Sequence, residues 1–319
     1  YFNVLICQKN TMNKVKFSLI PVAAAAFSFI LCFSSCQSTR SATTSRMLKF
    51  NFEKGKGYDY EMNINMNQEI MGSPTKLDIS TYYSMDVQED DGTVKTLQTK
   101  YDRFKINMDV MGMQLDVDTD KPLPATGEED MNPMSKVSKL FAAIKGQEFT
   151  MKVDAEGKIL EVKGFKEMAE SIVSSMDIDD KGGKEESEKM KKQFDQQFND
   201  KNIREQFERV LYIFPNKEVK VGDSWEKSTN MAGQLTGKMN STYTVTDIEG
   251  DMVTLEEKTK IGSAEEGAEL EGEQNGILVV DSRTGLVVTA DLDMNMTAKA
   301  GGIAIDINGK TKIKGKARQ

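Results

Sequence analysis

From Phe50 onward, apolar and polar residues alternate with a period of two. Glu61-Met62-Asn63-Ile64-Asn65-Met66-Asn67 does so without a slip, as do Asp291-Leu292-Asp293-Met294-Asn295-Met296 and Ile303-Ala304-Ile305-Asp306-Ile307. Neighbouring side chains of a strand point to opposite faces, so this pattern predicts half-buried antiparallel strands. Turn chemistry separates the runs at Gly72-Ser73-Pro74, Asp90-Asp91-Gly92, Asp154-Ala155-Glu156-Gly157, Glu249-Gly250-Asp251, Arg283-Thr284-Gly285 and Asn308-Gly309.

A second period interrupts the strands. After Asn132-Pro133, a cap with proline at the first helical position, Met134, Val137, Leu140, Phe141 and Ile144 trace one helical face, and Gly146 stops it. Phe165, Met168, Ala169, Ile172, Val173 and Met176 trace a second helix. The charged segment Lys181–Lys192 leads into a third, carrying Met190, Phe194, Phe198, Phe207, Val210 and Leu211 and ended by Phe214-Pro215. The strand order also repeats. Gly57-Tyr58-Asp59-Tyr60 is answered by Gly222-Asp223-Ser224-Trp225, Tyr83 by Tyr243, and Val94–Leu97 by Val253–Leu255; Val153–Gly157 is answered by Val280–Gly285. The predicted fold class is α+β, mostly β. It is a long curved antiparallel sheet built from two similar meander halves, with about three amphipathic helices packed on one face. A single body over residues 48–319 is expected, with halves at about 48–165 and 216–319 and a helical insertion at about 132–213.

The N-terminus reads as an address. Lys14 and Lys16 precede an almost wholly apolar stretch from Phe17 to Phe33, then Ser34-Ser35-Cys36. A basic region, an apolar region and small residues before a cut describe a secretory signal. The last four positions resemble the lipobox of bacterial lipoproteins, which implies cleavage before Cys36 and diacylation of its thiol. Met12 is then the natural start, with residues 1–11 an over-extended gene model, 1–35 the signal, and 36–47 a lipidated cysteine with a polar tether. Gln37 is not the aspartate that marks inner-membrane retention, and no acidic run follows. The resemblance thus implies an outer-membrane lipoprotein facing the periplasm.

Composition narrows the chemistry. The chain has 319 residues, 42 Lys+Arg against 50 Asp+Glu, and no histidine. Losing the first 35 residues, with their three lysines and no acids, takes the formal charge from −8 to −11. An acidic body argues against nucleic acid as a partner. Without histidine the usual general base and the commonest metal ligand are missing. Of the three cysteines, Cys7 and Cys32 precede the cut and Cys36 carries lipid, so the body has no disulfide or thiolate.

Phe214-Pro215, Val219-Lys220-Val221-Gly222-Asp223-Ser224-Trp225 and the Val280-Asp281 to Thr284-Gly285-Leu286 hairpin resemble an uncharacterised family of secreted bacterial lipoproteins, over roughly residues 48–300. That family, a domain of unknown function, implies no activity. The architecture is similar to that of periplasmic lipoprotein-carrier and lipid-binding lipoproteins.

No catalytic residue is expected. Gly222-Asp223-Ser224 has no base to activate its serine and reads as a tight turn before a core tryptophan. Ser73-Pro74-Thr75-Lys76 matches S-x-x-K but sits in a hairpin turn. Asp177, Asp179, Gly182 and Glu188 fit a calcium-loop register, but Lys181 occupies a ligand position, so neither metal nor other cofactor is expected. The alternating Lys310, Lys312, Lys314, Lys316 and Arg318 read as a charged edge strand. Methionine is abundant, with 20 residues. Flexible thioethers suit an adaptable apolar surface, so Met62, Ile64, Met66, Met294 and Met296 are the candidate ligand-binding residues. The expected function is non-enzymatic. The protein would be held on the membrane through the diacylglycerol on Cys36 and would bind an apolar small molecule, lipid or envelope partner. The alternative is a carboxylate-dependent hydrolase of envelope glycans.

Overall fold

The computed structural model describes residues 44–318 apart from 71–72, 111–112, 123–132, 166, 169–171, 173–198, 232–236, 264–268 and 301–302. Cys36, the signal segment and the Asp177–Glu188 loop lie outside the described residues.

One antiparallel sheet dominates. Its strands are β2 (Gly57–Ile70), β3 (Ser73–Asp90), β4 (Val94–Val110), β6 (Glu148–Asp154), β7 (Ile159–Lys163), β9 (Ser224–Met231), β10 (Gly237–Glu249), β11 (Met252–Ser263), β12 (Glu269–Asp281), β13 (Leu286–Ala300) and β14 (Ile303–Ala317). They lie in the order β7-β6-β4-β3-β2-β14-β13-β12-β11-β10-β9, and β5 (Met113–Asp118) pairs with the far end of β4. A short separate pair joins β1 (Ser45–Leu48) to β8 (Lys217–Lys220). β1 begins at Ser45, inside the segment read as tether.

The fold class needs correction. Two helices, not about three, are present among the described residues: α1 (Pro133–Ile144) and α2 (Asp200–Leu211). The molecule is mostly β. The second predicted helix falls largely outside the described residues, although Phe165, Met168 and Ile172 are buried in the core. Phe141 of α1 packs against Phe104 of β4 at 5.2 Å. The second helix, α2, contacts both β7 and β9, the two end strands. The sheet therefore curls until its ends share one helix, and α2 fills the seam. Asn199 caps α2, its side-chain oxygen accepting from Asn202 N at 3.0 Å.

Five strands of each half share hydrogen-bond detail. Gly55 N donates to Val87 O and Val87 N to Lys56 O, both at 3.0 Å; Gly222 N donates to Val245 O at 2.8 Å and Val245 N to Asp223 O at 2.9 Å. Both glycines have positive φ, +77° and +91°, a conformation that favours glycine. Register shifts follow at Val87/Glu89 and Val245/Asp247, and again at Lys152/Val153 and Val279/Val280. The residue answering Gly222 is thus Gly55, two positions before the sequence match at Gly57, and Trp225 answers Tyr58.

Two further expectations change. Asn308-Gly309 is no turn: it lies within β14, where Gly309 stands opposite both Met294 and Met66 and leaves room for the Met294 side chain. Nor is β14 an edge. It pairs with β13 and β2, and its outward cations neutralise acids on those strands, Lys310 with Asp291 and Asp293 and Lys316 with Asp59, while Arg318 just past its end pairs with Asp59 of β2 and Asp86 of β3.

The core fills the closed end of the curl. Tyr60 lies opposite Tyr83 with rings stacked at 5.2 Å, and Trp225 opposite Tyr243 at 6.0 Å. Phe207 of α2 enters among Tyr83, Tyr101 and Phe149, at 5.3, 6.5 and 5.7 Å.

Candidate functional site

Strand register sets the inner wall in rows. Tyr243, Glu257, Gly276, Leu292, Thr311 and Ile64 lie side by side across β10-β11-β12-β13-β14-β2. The next row toward the long hairpins runs Lys227, Ser241, Thr259, Gln274, Met294, Gly309, Met66. The third contains Met239, Ile261, Gly272, Met296 and Ile307. Period-2 geometry turns all of these to the same face.

Between these rows and α2 lies a cavity of about 80 Å³. Met62, Ile64, Met239, Leu292 and Ile313 supply its apolar wall, Gln206, Arg209 and Val210 its helical side, and Ser241, Tyr243, Glu257 and Gln274 a polar patch. The patch is hydrogen-bonded within itself. Thr259 Oγ1 donates to Glu257 Oε1 at 2.6 Å and Gln274 Nε2 to the same oxygen at 2.9 Å; Ser241 and Thr259 share a hydrogen bond at 2.7 Å. Glu257 is 3% exposed. Burial raises its carboxyl above the ordinary range, against the two hydrogen bonds, which lower it. Burial also raises the Tyr243 hydroxyl, and Glu257 adds to that rise. Lys227 reaches the same wall, but its ammonium is held by Glu156 at 2.5 Å and lies 4.2 Å from the Tyr212 ring centre.

The five candidate ligand residues all face inward but divide between two clusters. Met62 belongs to the main core with Ile64 packed against it, and both line the cavity. Met296 sits in a second cluster with Met239, Ile261, Leu270 and Ile307, against which Met66 and Met294 pack. Met239 belongs to both the cavity wall and that cluster, so the two are continuous. The polar patch was missed by sequence reasoning. Its signal was available: Val253, Leu255, Glu257, Thr259 and Ile261 share one strand face, which places a carboxylate among buried apolar positions.

The hydrolase pattern at Gly222-Asp223-Ser224 is a turn. Asp223 Oδ2 accepts from Lys220 N at 3.0 Å, and exposed Ser224 bonds Thr244. Trp225, beyond it, donates to Ile213 O at 2.7 Å in the core. Among the described residues no group of three histidine, cysteine, aspartate or glutamate side chains could hold a metal ion. An open groove of about 340 Å³ also lies at the β11–β12 hairpin end, beside Leu270 and Lys299, where Lys299 is paired with Glu269 at 2.7 Å.

A family model named DUF6263, a family of unknown function, matches residues 92–287, from the β3–β4 turn to the start of β13. The chain belongs to the DUF6263 family. The matched span is narrower than the 48–300 expected from the motifs, and it contains the whole polar patch, Glu257 included. No curated protein matches the chain. Among solved structures, Pseudomonas aeruginosa OccK11 (OpdR) is 9% identical over 85% of this chain and 100% of its own, with a TM-score of 0.23. Pseudomonas aeruginosa OccK5 (OpdH) is 8% identical over 85% and 100%, with a TM-score of 0.22. Likenesses this low carry no argument about the DUF6263 chain.

Proposed function

We propose that this DUF6263 protein is a lipid-anchored, periplasm-facing binding protein that holds an apolar or amphipathic molecule inside its curled sheet. The observation that carries the reading is the cavity beneath α2, whose apolar wall of Met62, Ile64, Leu292 and Ile313 continues through Met239 into a methionine-rich cluster. Methionine adapts to a ligand's shape without fixed rotamer demands. The lining contains one carboxylate, Glu257, whereas glycan hydrolysis by carboxylates uses two, roughly 5–10 Å apart.

Two measurements test the proposal. The purified protein should bind a neutral fluorescent apolar probe such as N-phenyl-1-naphthylamine, and Leu292→Trp, which fills the cavity, should abolish the signal while far-UV circular dichroism stays the same. Probe fluorescence that never rises, or that survives the filled cavity, removes the binding role. Anchoring is tested by Cys36→Ser. Two acyl chains hold a protein stably on a bilayer and none does, so the variant should move from the membrane fraction to the soluble one. Unchanged partition defeats the lipoprotein assignment.

A further inference from the structure

Glu257 is a buried carboxylate without a cation. Both of its hydrogen bonds arrive at Oε1, from Thr259 and Gln274, and among the described residues no donor reaches Oε2. The side chain lines the cavity. The neighbouring Lys227 is occupied by Glu156 and the Tyr212 ring. Arg209, the other cation of the lining, is exposed as a residue on α2, while burial of its guanidinium lowers its pKa and Glu205 is the acid that supports its charge. A charge removed from water is costly until a partner of opposite sign and good hydrogen-bond geometry meets it. The site thus has an acceptor in place and lacks its donor.

We propose, building on the binding role above, that the cavity recognises the ammonium head of an amphipathic amine, with Glu257 as its counter-ion and the apolar tail running along Met239, Met66 and Met296. Strand geometry sets the direction. Met239 lies two residues along β10 from Ser241, and Met296 lies across from Gly272 on the row beyond Gln274. Head and tail surfaces thus follow each other along the strands toward the long hairpins. Gly272 and Gly309 carry no side chain on that path, and Met296 and Met294 pack into the space they leave. A bare metal ion fits poorly, because hard cations want six or more oxygens and half of this wall is hydrocarbon. An ammonium needs only a few acceptors, and the lining offers the Glu257 carboxylate with the Ser241 hydroxyl oxygen.

The test uses three twelve-carbon probes that differ only in the head: dodecylammonium, dodecanol and dodecanoate. Each is titrated below its micelle concentration into the full chain carrying Cys36→Ser, by calorimetry. Dodecylammonium should bind about tenfold or more tighter than dodecanol, the advantage expected of one charge-assisted pair. The near-isosteric Glu257→Gln should erase that advantage and leave dodecanol within about threefold. Dodecanoate binding as tightly as the amine would place the head at Arg209 and overturn the proposal. An amine preference that survives Glu257→Gln would overturn it too. If none of the three binds, the binding role falls and the head assignment with it; if all bind alike, only the head assignment falls. The wild-type ranking of the probes decides the matter even if the variant folds poorly.

Discussion

Glu257 matters for stability as well as for binding. Burial raises its folded-state pKa above the value in the unfolded chain, about 4.3. Between those two values the folded protein holds more protons than the unfolded one, so stability falls as pH rises through that window. Glutamine carries no such charge. Glu257→Gln should therefore gain stability relative to wild type as pH is raised from 4 to 8, read as urea midpoints at each pH. A gap that stays constant with pH would show Glu257 to be solvated in the fold, and one that moves in favour of wild type as pH rises would show it ion-paired. At this scale the sequence was half legible. Alternation put Met62, Ile64, Met66, Met294 and Met296 on inward faces, because strand period depends on local backbone geometry alone. The partners of each depend on register over five to seven strands, which no local pattern contains.

Among the elements, α2 combines the most constraints in 12 residues. Its Glu208 accepts from Ile159 N of β7 at 3.1 Å, its Glu205 accepts from Asn230 of β9 at 3.2 Å, and its Phe207 enters the aromatic core. The apolar spacing of Phe207, Val210 and Leu211 predicted the helix. Its place in the seam could not be read, because that follows from how far the sheet curls. The charged β14 shows the same limit from the other side. Alternating cations suit an edge strand, yet they equally suit a central strand whose neighbours present Asp291, Asp293 and Asp59. Phe207 is 3% exposed and touches three aromatic rings. Phe207→Ala should cost about 3–5 kcal/mol of unfolding free energy. A loss under about 1 kcal/mol, the scale of a single surface contact, would mean that α2 is not packed as described.

Across the whole molecule the two sets of five strands meet at two junctions, and these are made differently. At one, β14 bridges β2 and β13 with continuous backbone ladders on both sides. At the other, β7 and β9 meet across α2, which offers them side chains: Glu208 to the Ile159 amide and Glu205 to the Asn230 side chain. A ladder opens cooperatively because each bond shares its strand with the next, whereas a helix held by separate side-chain contacts can lift alone. The cavity lies directly beneath that helix. Amide hydrogen exchange should therefore separate the junctions. Amides of α2 and of the outer edges of β7 and β9 should exchange through local opening, at rates insensitive to low denaturant. Those of β2, β14 and β13 should exchange only with global unfolding, at rates that climb steeply with denaturant. A bound amphiphile contacting Val210 and Gln206 should slow the first group and leave the second unchanged. Equal protection at both junctions would mean that α2 seals the sheet as firmly as a strand, and that ligands reach the cavity from the hairpin end instead.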